Sequence, residues 1–461
     1  MRGRWEGRKK DTFEMKNNKY EIDMCNGSIM DKLISFAFPL MISGMLQLMF
    51  NAVDIIVVGR FTGSQALAAV GSTTALISTF TNLFIGVSLG ANVLAARFYA
   101  TGKAKEMSDT VHTAITLAAI SGVVMCIIGI LCARLSLSLI ATPDDIIGQA
   151  SLYLRIYFSG MPFFMLYNYG AAILRAVGDT KRPLMYLIVA GSTNALLDLI
   201  LVIIFKMGVA GVAIGTITSQ FISCILVIRC LCKTDAIYKL HFSQLRIKKY
   251  YLVQILKVGL PAGIQSTVIN FSNVLLQSSV NSFGEIAMAG YTAANNILGF
   301  LYVSVNSVSQ ACMSFTSQNY GVRKFKRMDK VFIDCAILSV IVSAVIGGGS
   351  YLLGHQILGI YTKQEDVIQC GMEILSISTV PYFLCGLMDM IPGYMRGVGY
   401  SAVPMILSII GTVGTRLVWI YGVFPQHRSL YVLFISYPVS WGLSIVMQLI
   451  CMLVVRKKIR Q

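Results

Sequence analysis

Apolar runs broken by short polar stretches recur along the whole chain. Twelve are long enough to cross the ~30 Å of hydrocarbon in a bilayer, which takes about 20 residues of helix. The first six lie at 33–59, 66–92, 111–133, 148–173, 184–205 and 209–229. The second six lie at 253–280, 287–317, 331–353, 370–395, 403–423 and 430–453. Lipid offers no partner to backbone N–H and C=O groups, so runs of this kind are helices. The pattern predicts an all-α membrane protein of twelve transmembrane helices, in two six-helix lobes.

Composition strengthens this reading, since 56% of the 461 residues are hydrophobic and only 13% are charged. A soluble domain carries about 25% charged residues. The first thirty residues, Met1 to Met30, contain no apolar core of the signal-peptide kind, so the first span is expected to act as the targeting signal.

A net charge of +17 raises the question of nucleic acid. Its distribution answers differently. With the N-terminus inside, 31 of the 38 Lys and Arg residues fall in cytosolic tails, loops and helix ends, including Arg8-Lys9-Lys10, 239–249, 323–330 and 456–458. The other seven are Arg60, Arg134, Arg155, Lys206, Lys363, Arg416 and Arg428. This positive-inside bias predicts a multi-pass protein of the plasma or inner membrane with both termini cytosolic. No polyanionic partner is needed to explain the charge. The expected organisation is a cytosolic tail 1–28, an N-lobe 29–229, a cytosolic linker 230–252, a C-lobe 253–455 and a cytosolic tail 456–461.

The eleven cysteines lie mostly in or beside apolar runs and form no paired CxxC pattern. Cys230-Leu231-Cys232 is poor spacing for a metal site, and the cysteines read as small apolar residues.

The halves resemble one another. Arg175-Ala-Val-Gly-Asp-Thr-Lys-Arg-Pro183 follows the fourth span and Arg396-Gly-Val-Gly-Tyr-Ser-Ala-Val-Pro404 the tenth, an offset of 396 − 175 = 221. Tyr99, Lys103, Lys105 and Met107 match Tyr320, Lys324, Lys326 and Met328 at the same offset, and Pro39 matches Pro261 at 222. Six spans per copy make the repeat parallel, an arrangement used for alternating access.

Only Asp54, Asp198 and Asp389 of 21 acidic residues lie deep within spans. Each costs about 2.5–3.5 kcal/mol in hydrocarbon even on the lenient insertion scale, which makes each a functional candidate. Counting 1.5 Å per residue puts Asp54, Asp198 and Thr216 roughly 8–11 Å below the outer surface. Gln47, Asn51 and Asp54 share one helix face, and Asn194 stands four residues before Asp198. Two carboxylates with amide and hydroxyl oxygens suit a hard cation such as Na+ (at Asp54, Asn194, Asp198 and Thr216), or equally a shared proton. Pairing with Arg155, at nearly the same depth, is the structural alternative.

The second half does not copy this layer. Leu276, Thr415 and Trp419 stand where Asp54, Asn194 and Asp198 would fall. Ser266, Asn270, Asn273 and Gln277 in span seven, and Tyr302, Asn306 and Gln310 in span eight, either line a hydrated cavity or hydrogen-bond helix to helix. Asp389 is a secondary candidate for proton handling or substrate charge. Pro39 can kink the first span, as a moving bend or a static one.

These motifs resemble those of the multidrug and toxic compound extrusion (MATE) family over roughly residues 24–455. The carriers are Pro-Leu-x13-Asp-x4-Gly-Arg from Pro39 to Arg60, Leu-Arg-Ala-Val-Gly-Asp-Thr-Lys-Arg-Pro from Leu174 to Pro183, and Asn-x3-Asp at Asn194 and Asp198. The resemblance implies two lobes around a central cleft, with Asp54 tied to cation coupling and Asn194, Asp198 and Thr216 as its partners. It implies that Gln47 lines that pocket and that Pro39 sits at the bend of the first helix. One feature departs from the pattern. Some branches carry a glutamate soon after Gly-Leu-Pro in span seven, whereas Gly259-Leu260-Pro261 is followed here by Gln265.

The expected function is a secondary active antiporter exporting amphipathic, cationic small molecules in exchange for H+ or Na+ by alternating access. Gln47, Asn51, Gln265, Asn273, Asn306 and Asp389 are the candidate cavity-lining residues. A lipid-linked saccharide flippase of the same superfamily is the alternative. No phosphate loop of the form GxxxxGK[ST], no HExxH and no GxGD occurs, so neither an ATP-driven pump nor an intramembrane enzyme is expected. The expected partners are the bilayer and a small-molecule substrate, with no cofactor beyond the coupling ion, and the protein is expected to work as a monomer.

Overall fold

The computed structural model describes residues 20–140 and 142–461. The basic stretch Arg8-Lys9-Lys10 and residues 1–19 of the expected tail lie outside the described residues. The described chain is helical throughout. The first half holds α1 (Ile29–Phe61), α2 (Ser64–Ala100), α3 (Ala104–Leu139), α4 (Asp144–Ser159), α5 (Met161–Ala176), α6 (Lys181–Leu199) and α7 (Val209–Lys233). The second holds α8 (Lys249–Asn281), α9 (Glu285–Gly321), α10 (Phe325–Val342), α11 (Gly348–Leu352), α12 (Gly354–Tyr361), α13 (Glu365–Thr379), α14 (Tyr382–Val398), α15 (Ala402–Ser408), α16 (Thr415–Val418) and α17 (Leu430–Arg460). Wider π turns at Ile200–Ile204, Ser343–Gly347, Ile409–Gly414 and Trp419–Val423 fall within three of the spans, the last two in the same one.

Among the described residues ten helical stretches are long and apolar enough to cross a membrane, and an eleventh is the pair α13 and α14, bent by 49°. The twelve-span count therefore holds only approximately. The fourth predicted span is not one rod but two helices of 16 residues, α4 and α5, meeting at Gly160. Pro162 near the start of α5 has no N–H to extend the helix before it. The corresponding break in the second half falls at Pro381, between α13 and α14, at the same offset of 221.

The duplication is written in the backbone as well. Gly63 and Gly284 turn between the first and second long helices of their halves with φ of +98° and +93°. Gly178, between α5 and α6, and Gly399, between α14 and α15, have φ of +96° and +101°, and Gly102 pairs with Arg323 at +65° and +58°. Left-handed geometry is easy for glycine and costly for a side chain. Three such turns at one offset point to a conserved path rather than coincidence of composition.

The two halves interlock. Ile29, Leu33, Phe36 and Leu40 at the start of α1 are buried in the same core as α9, α10 and α14 of the second half. Tyr251 and Ile255 at the start of α8 are buried in the core of the first half. Glycines allow the crossing helices to touch. A Cβ on Gly86 would lie 2.2 Å from the Gly263 backbone, and one on Gly90 would lie 2.1 Å from the Ile255 carbonyl. Further along, Ser314 donates to Asn92 at 3.1 Å and Ser317 to the Val93 carbonyl at 2.6 Å. Two exchanged caps complete this face: Arg97 donates to the Val398 carbonyl at 3.2 Å, and Gln318 to the Ala176 carbonyl at 2.7 Å. These contacts lie near the ends of α2 and α9, where the basic residues gather; we call this end the basic face.

A strap of chain, Tyr20–Gly27, crosses the basic face and touches both halves. The Glu21 carboxylate accepts from Tyr99 of α2 at 2.6 Å and from Tyr238 of the 230–252 linker, which is buried in the core of the first half, at 2.7 Å. Asn319 donates to the Met24 carbonyl, Lys324 to the Cys25 carbonyl, and Arg327 to the carbonyls of Asn26 and Gly27. Glu21→Gln puts a neutral amide between two phenols and is expected to destabilise the strap by about 1.5–3 kcal/mol, the range for hydrogen bonds to charged groups. Faster amide exchange over 20–27 is the readout; unchanged exchange there would count against the strap being held by Glu21.

Candidate functional site

The first cluster forms where α1, α6 and α7 converge. α1 and α6 approach so closely at Gly191 that a Cβ there would sit 1.8 Å from the Phe50 ring. One turn further, the same approach carries Asp54 toward Asn194 and Asp198. Gly215 of α7 closes the third side, since its Cβ would lie 2.2 Å from Oδ1 of Asp198. Small residues are what let helices meet this tightly in a membrane. A π turn begins two residues after Asp198, at Ile200.

Asp198 is fully buried, Asn194 is 5% exposed and Asp54 is 9% exposed. Asn194 donates from its amide to Oδ1 of Asp198 at 3.3 Å. The Asp54 carboxyl faces Asp198 and the Thr216 hydroxyl. Thr216 gives its own proton to the Val212 carbonyl at 3.0 Å, so it offers the site an oxygen rather than a donor. Oδ1 of Asp54 and Oδ2 of Asp198 are buried without a donor among the described residues. Tyr153 and Tyr157 of α4, stacked at 6.2 Å, stand beside the pair.

Two ionised carboxylates only accept hydrogen bonds, so facing each other in a buried site they repel and lack donors. One proton shared between them, or one hard cation ringed by oxygens, satisfies both. The four residues present fit such a cation: two unpaired carboxylate oxygens, the Asn194 amide oxygen and the Thr216 hydroxyl. Among the described residues no group of three His, Cys, Asp or Glu side chains gathers as a transition-metal centre would require, Cys230 and Cys232 included.

Arg155 does not supply the missing charge. It is exposed on α4, and the described ion pairs include neither Asp54 nor Asp198. Tyr153 and Tyr157 are four apart and share the inward face, so Arg155 between them points away. Gln47 and Asn51, on α1 below Asp54, are exposed and make no side-chain hydrogen bond among the described residues. Pro39 is buried inside α1, and the Ser43 hydroxyl donates to its carbonyl at 2.8 Å.

The polar residues of the second half are tied into networks. Asp389 accepts from Asn306 at 2.7 Å, Asn306 accepts from Gln310 at 2.9 Å, and Gln310 accepts from Arg175 of the first half at 3.1 Å. Gln265, only 3% exposed, accepts from Arg396 at 2.7 Å and donates to Ser408 at 2.9 Å, where Gln448 also donates. Asn273 accepts from Arg416 at 2.7 Å, and that guanidinium lies over the Tyr437 ring at 4.4 Å. Arg416 thus has partners other than Asp389. Gln265 lies in a packed, bonded interior and Asn273 against a cation, so the two differ from the exposed Gln47 and Asn51. Ser408→Ala would strand two buried amide donors, at about 1–3 kcal/mol each; a melting temperature equal to wild type would show that the network carries no such weight.

Sequence reasoning missed Gly191, Gly215, Tyr153 and Tyr157. A Gly-x2-Asn-x3-Asp run on α6 was the available signal, because a glycine on the face of a buried carboxylate marks a close neighbour.

Comparison with known proteins agrees with this architecture. The chain is 28% identical to the probable multidrug resistance protein YoeA of Bacillus subtilis over 91% of this chain and 92% of that protein. It is 22% identical to the multidrug export protein MepA of Staphylococcus aureus over 82% and 84%. Among solved structures, a MATE protein in the straight conformation superimposes with a TM-score of 0.85 at 22% identity, covering 95% of this chain and 97% of that one. A multidrug resistance MATE family transporter in an outward-facing conformation gives 0.85 at 21% identity, with the same coverage. The MatE family profile matches twice, at residues 39–200 and 261–421, one match in each half, and the chain belongs to that family.

Proposed function

We propose that the protein is a secondary active antiporter, which exports amphipathic cationic small molecules in exchange for H+ or Na+ by alternating access. The observation that carries this reading is the buried face-to-face pair Asp54 and Asp198, with one carboxylate oxygen of each left without a donor. Such a pair changes charge on taking up or releasing a single cation, and it sits on two helices, α1 and α6, of one half. Asp54 is on α1, whose other end is packed into the opposite half, so a change in charge there reaches both lobes through one helix. Pro39 lies inside α1 between Asp54 and the start of that helix, and in this proposal it is where α1 bends. Gln47 and Asn51, exposed next to the pair, offer uncharged polar contacts to a substrate, and Asp389 offers negative charge from the other half.

The basic face is the cytosolic one in this proposal, with both termini and the 230–252 linker on it, and the protein acts as a monomer of two lobes, 29–229 and 253–455. The names of the relatives, multidrug resistance and multidrug export, support drug-like substrates over lipid-linked saccharides. A site built around two carboxylates also suits a cation better than a pyrophosphate.

Reconstitution into proteoliposomes, with proton and sodium gradients imposed separately, tests the proposal. One charge moved through 100 mV supplies about 2.3 kcal/mol, enough for a roughly fifty-fold dye gradient. Uphill movement of a cationic dye under one of the gradients is expected. Movement under neither would overturn the reading.

A further inference from the structure

A cavity of about 310 Å³ lies between the two halves at the basic face, within the usual size range of small-molecule sites, about 300–1,000 Å³. It is separate from the Asp54–Asp198 cluster. Arg97 comes from α2, Gln254 and Lys257 from α8, and Tyr400 and Ser401 from the turn after α14. Its walls therefore belong to both halves, and the remainder of the lining is mostly glycine and aliphatic side chains such as Leu94, Val258 and Val403.

The polar atoms of this lining are donors in excess. Arg97 uses one terminal nitrogen on the Val398 carbonyl and lays its guanidinium over the Tyr320 ring at 4.9 Å, yet its Nε is buried with no acceptor among the described residues. Ser401 is 2% exposed, and its hydroxyl has no partner either. Lys257 is exposed on the cavity wall, and neither it nor Arg97 takes part in the ion pairs of the described residues. Among the described residues no carboxylate lines the space. A buried donor without an acceptor is unfavourable, and the two residues that carry such donors, Arg97 and Ser401, border the same cavity.

We propose that this cavity binds a phosphate-bearing anion. Guanidinium, ammonium, hydroxyl and amide donors arrive from three separate segments, which suits the several oxygens of a tetrahedral phosphate better than a flat carboxylate. The aliphatic lining accommodates the organic part of a phosphate ester. The same chemistry is presented by an anionic phospholipid headgroup and by soluble phosphate. In either case the anion bridges α2 to α8 and the Val398–Ser401 turn, and so fastens the halves together at this end.

The test uses the full-length protein in nanodiscs. One arm titrates inorganic phosphate into phosphatidylcholine discs, and the other compares phosphatidylcholine discs with discs containing phosphatidylglycerol. Thermal stability and calorimetric binding are read in the first arm, and thermal stability in the second. Saturable stabilisation by phosphate assigns a soluble ligand; stabilisation by phosphatidylglycerol alone assigns the headgroup. In whichever arm responds, Arg97→Gln and Lys257→Gln are each expected to weaken the effect about tenfold, and Ser401→Ala severalfold. Lys257→Gln and Ser401→Ala break no bond described in the structure, so they keep the test valid should Arg97→Gln misfold. No response in either arm, or a response that these two variants leave unchanged, overturns the proposal.

Discussion

Asp54→Asn and Asp198→Asn proteins are expected to fold normally and to lose uphill export altogether. Asparagine matches aspartate in shape and brings an N–H that can be given to the remaining carboxylate, so removing one charge from a buried like-charged pair relieves repulsion. Melting temperatures should equal or exceed that of the wild type. The site can then no longer take up and release a cation in the ordinary way, and the driving force is uncoupled from transport. Under a potential of 100 mV the accumulated dye ratio is expected to fall from about fifty to near one. If both variants still built the wild-type gradient, the coupling would have to be moved elsewhere, with Asp389 the next group to replace.

Gly86→Val is expected to open the basic face. The added Cβ would lie 2.2 Å from both the Cα and the nitrogen of Gly263. That neighbour is backbone, which cannot turn aside as a side chain does, so α2 and α8 must move apart. Overpacking of this kind costs about 1–3 kcal/mol, a shift of roughly five- to 150-fold against the closed arrangement. The bonds from Ser314 and Ser317 of α9 to Asn92 and Val93 lie further along α2 and would be strained as that helix moves. Amide exchange should quicken over residues 88–100 and 310–321, with transport impaired. Unaltered protection in both segments would mean that this crossing does not hold the halves together.

Much of the fold was legible because membranes impose a simple rule on sequence. Helix lengths are set by hydrocarbon thickness, and depth can be counted at 1.5 Å per residue along a stiff rod. That count put Asp54, Asp198 and Thr216 in one layer, and in the structure they face one another. Depth says nothing about azimuth. Arg155 has the right depth and the wrong direction, which only the facing of Tyr153 and Tyr157 reveals. The breaks at Gly160 and Pro381 were hidden because apolar residues continue across them, and hydropathy does not register a bend. Gln265, Asn273 and Asn306 look alike in sequence as polar residues among apolar ones. Their partners Arg396, Arg416 and Gln310 are distant in the chain or on another turn, so a stripe pattern cannot tell a bonded amide from one facing a cavity.

The exchanged first helices bear on biogenesis. The residues that complete the N-terminal core, Tyr251 and Ile255, are synthesised only after all of α1 to α7, while Ile29, Leu33 and Phe36 wait for partners that come later still. Neither repeat can finish its interior from its own residues. Expressed as separate pieces, each would reach the bilayer with an unfilled gap and a homeless apolar helix end.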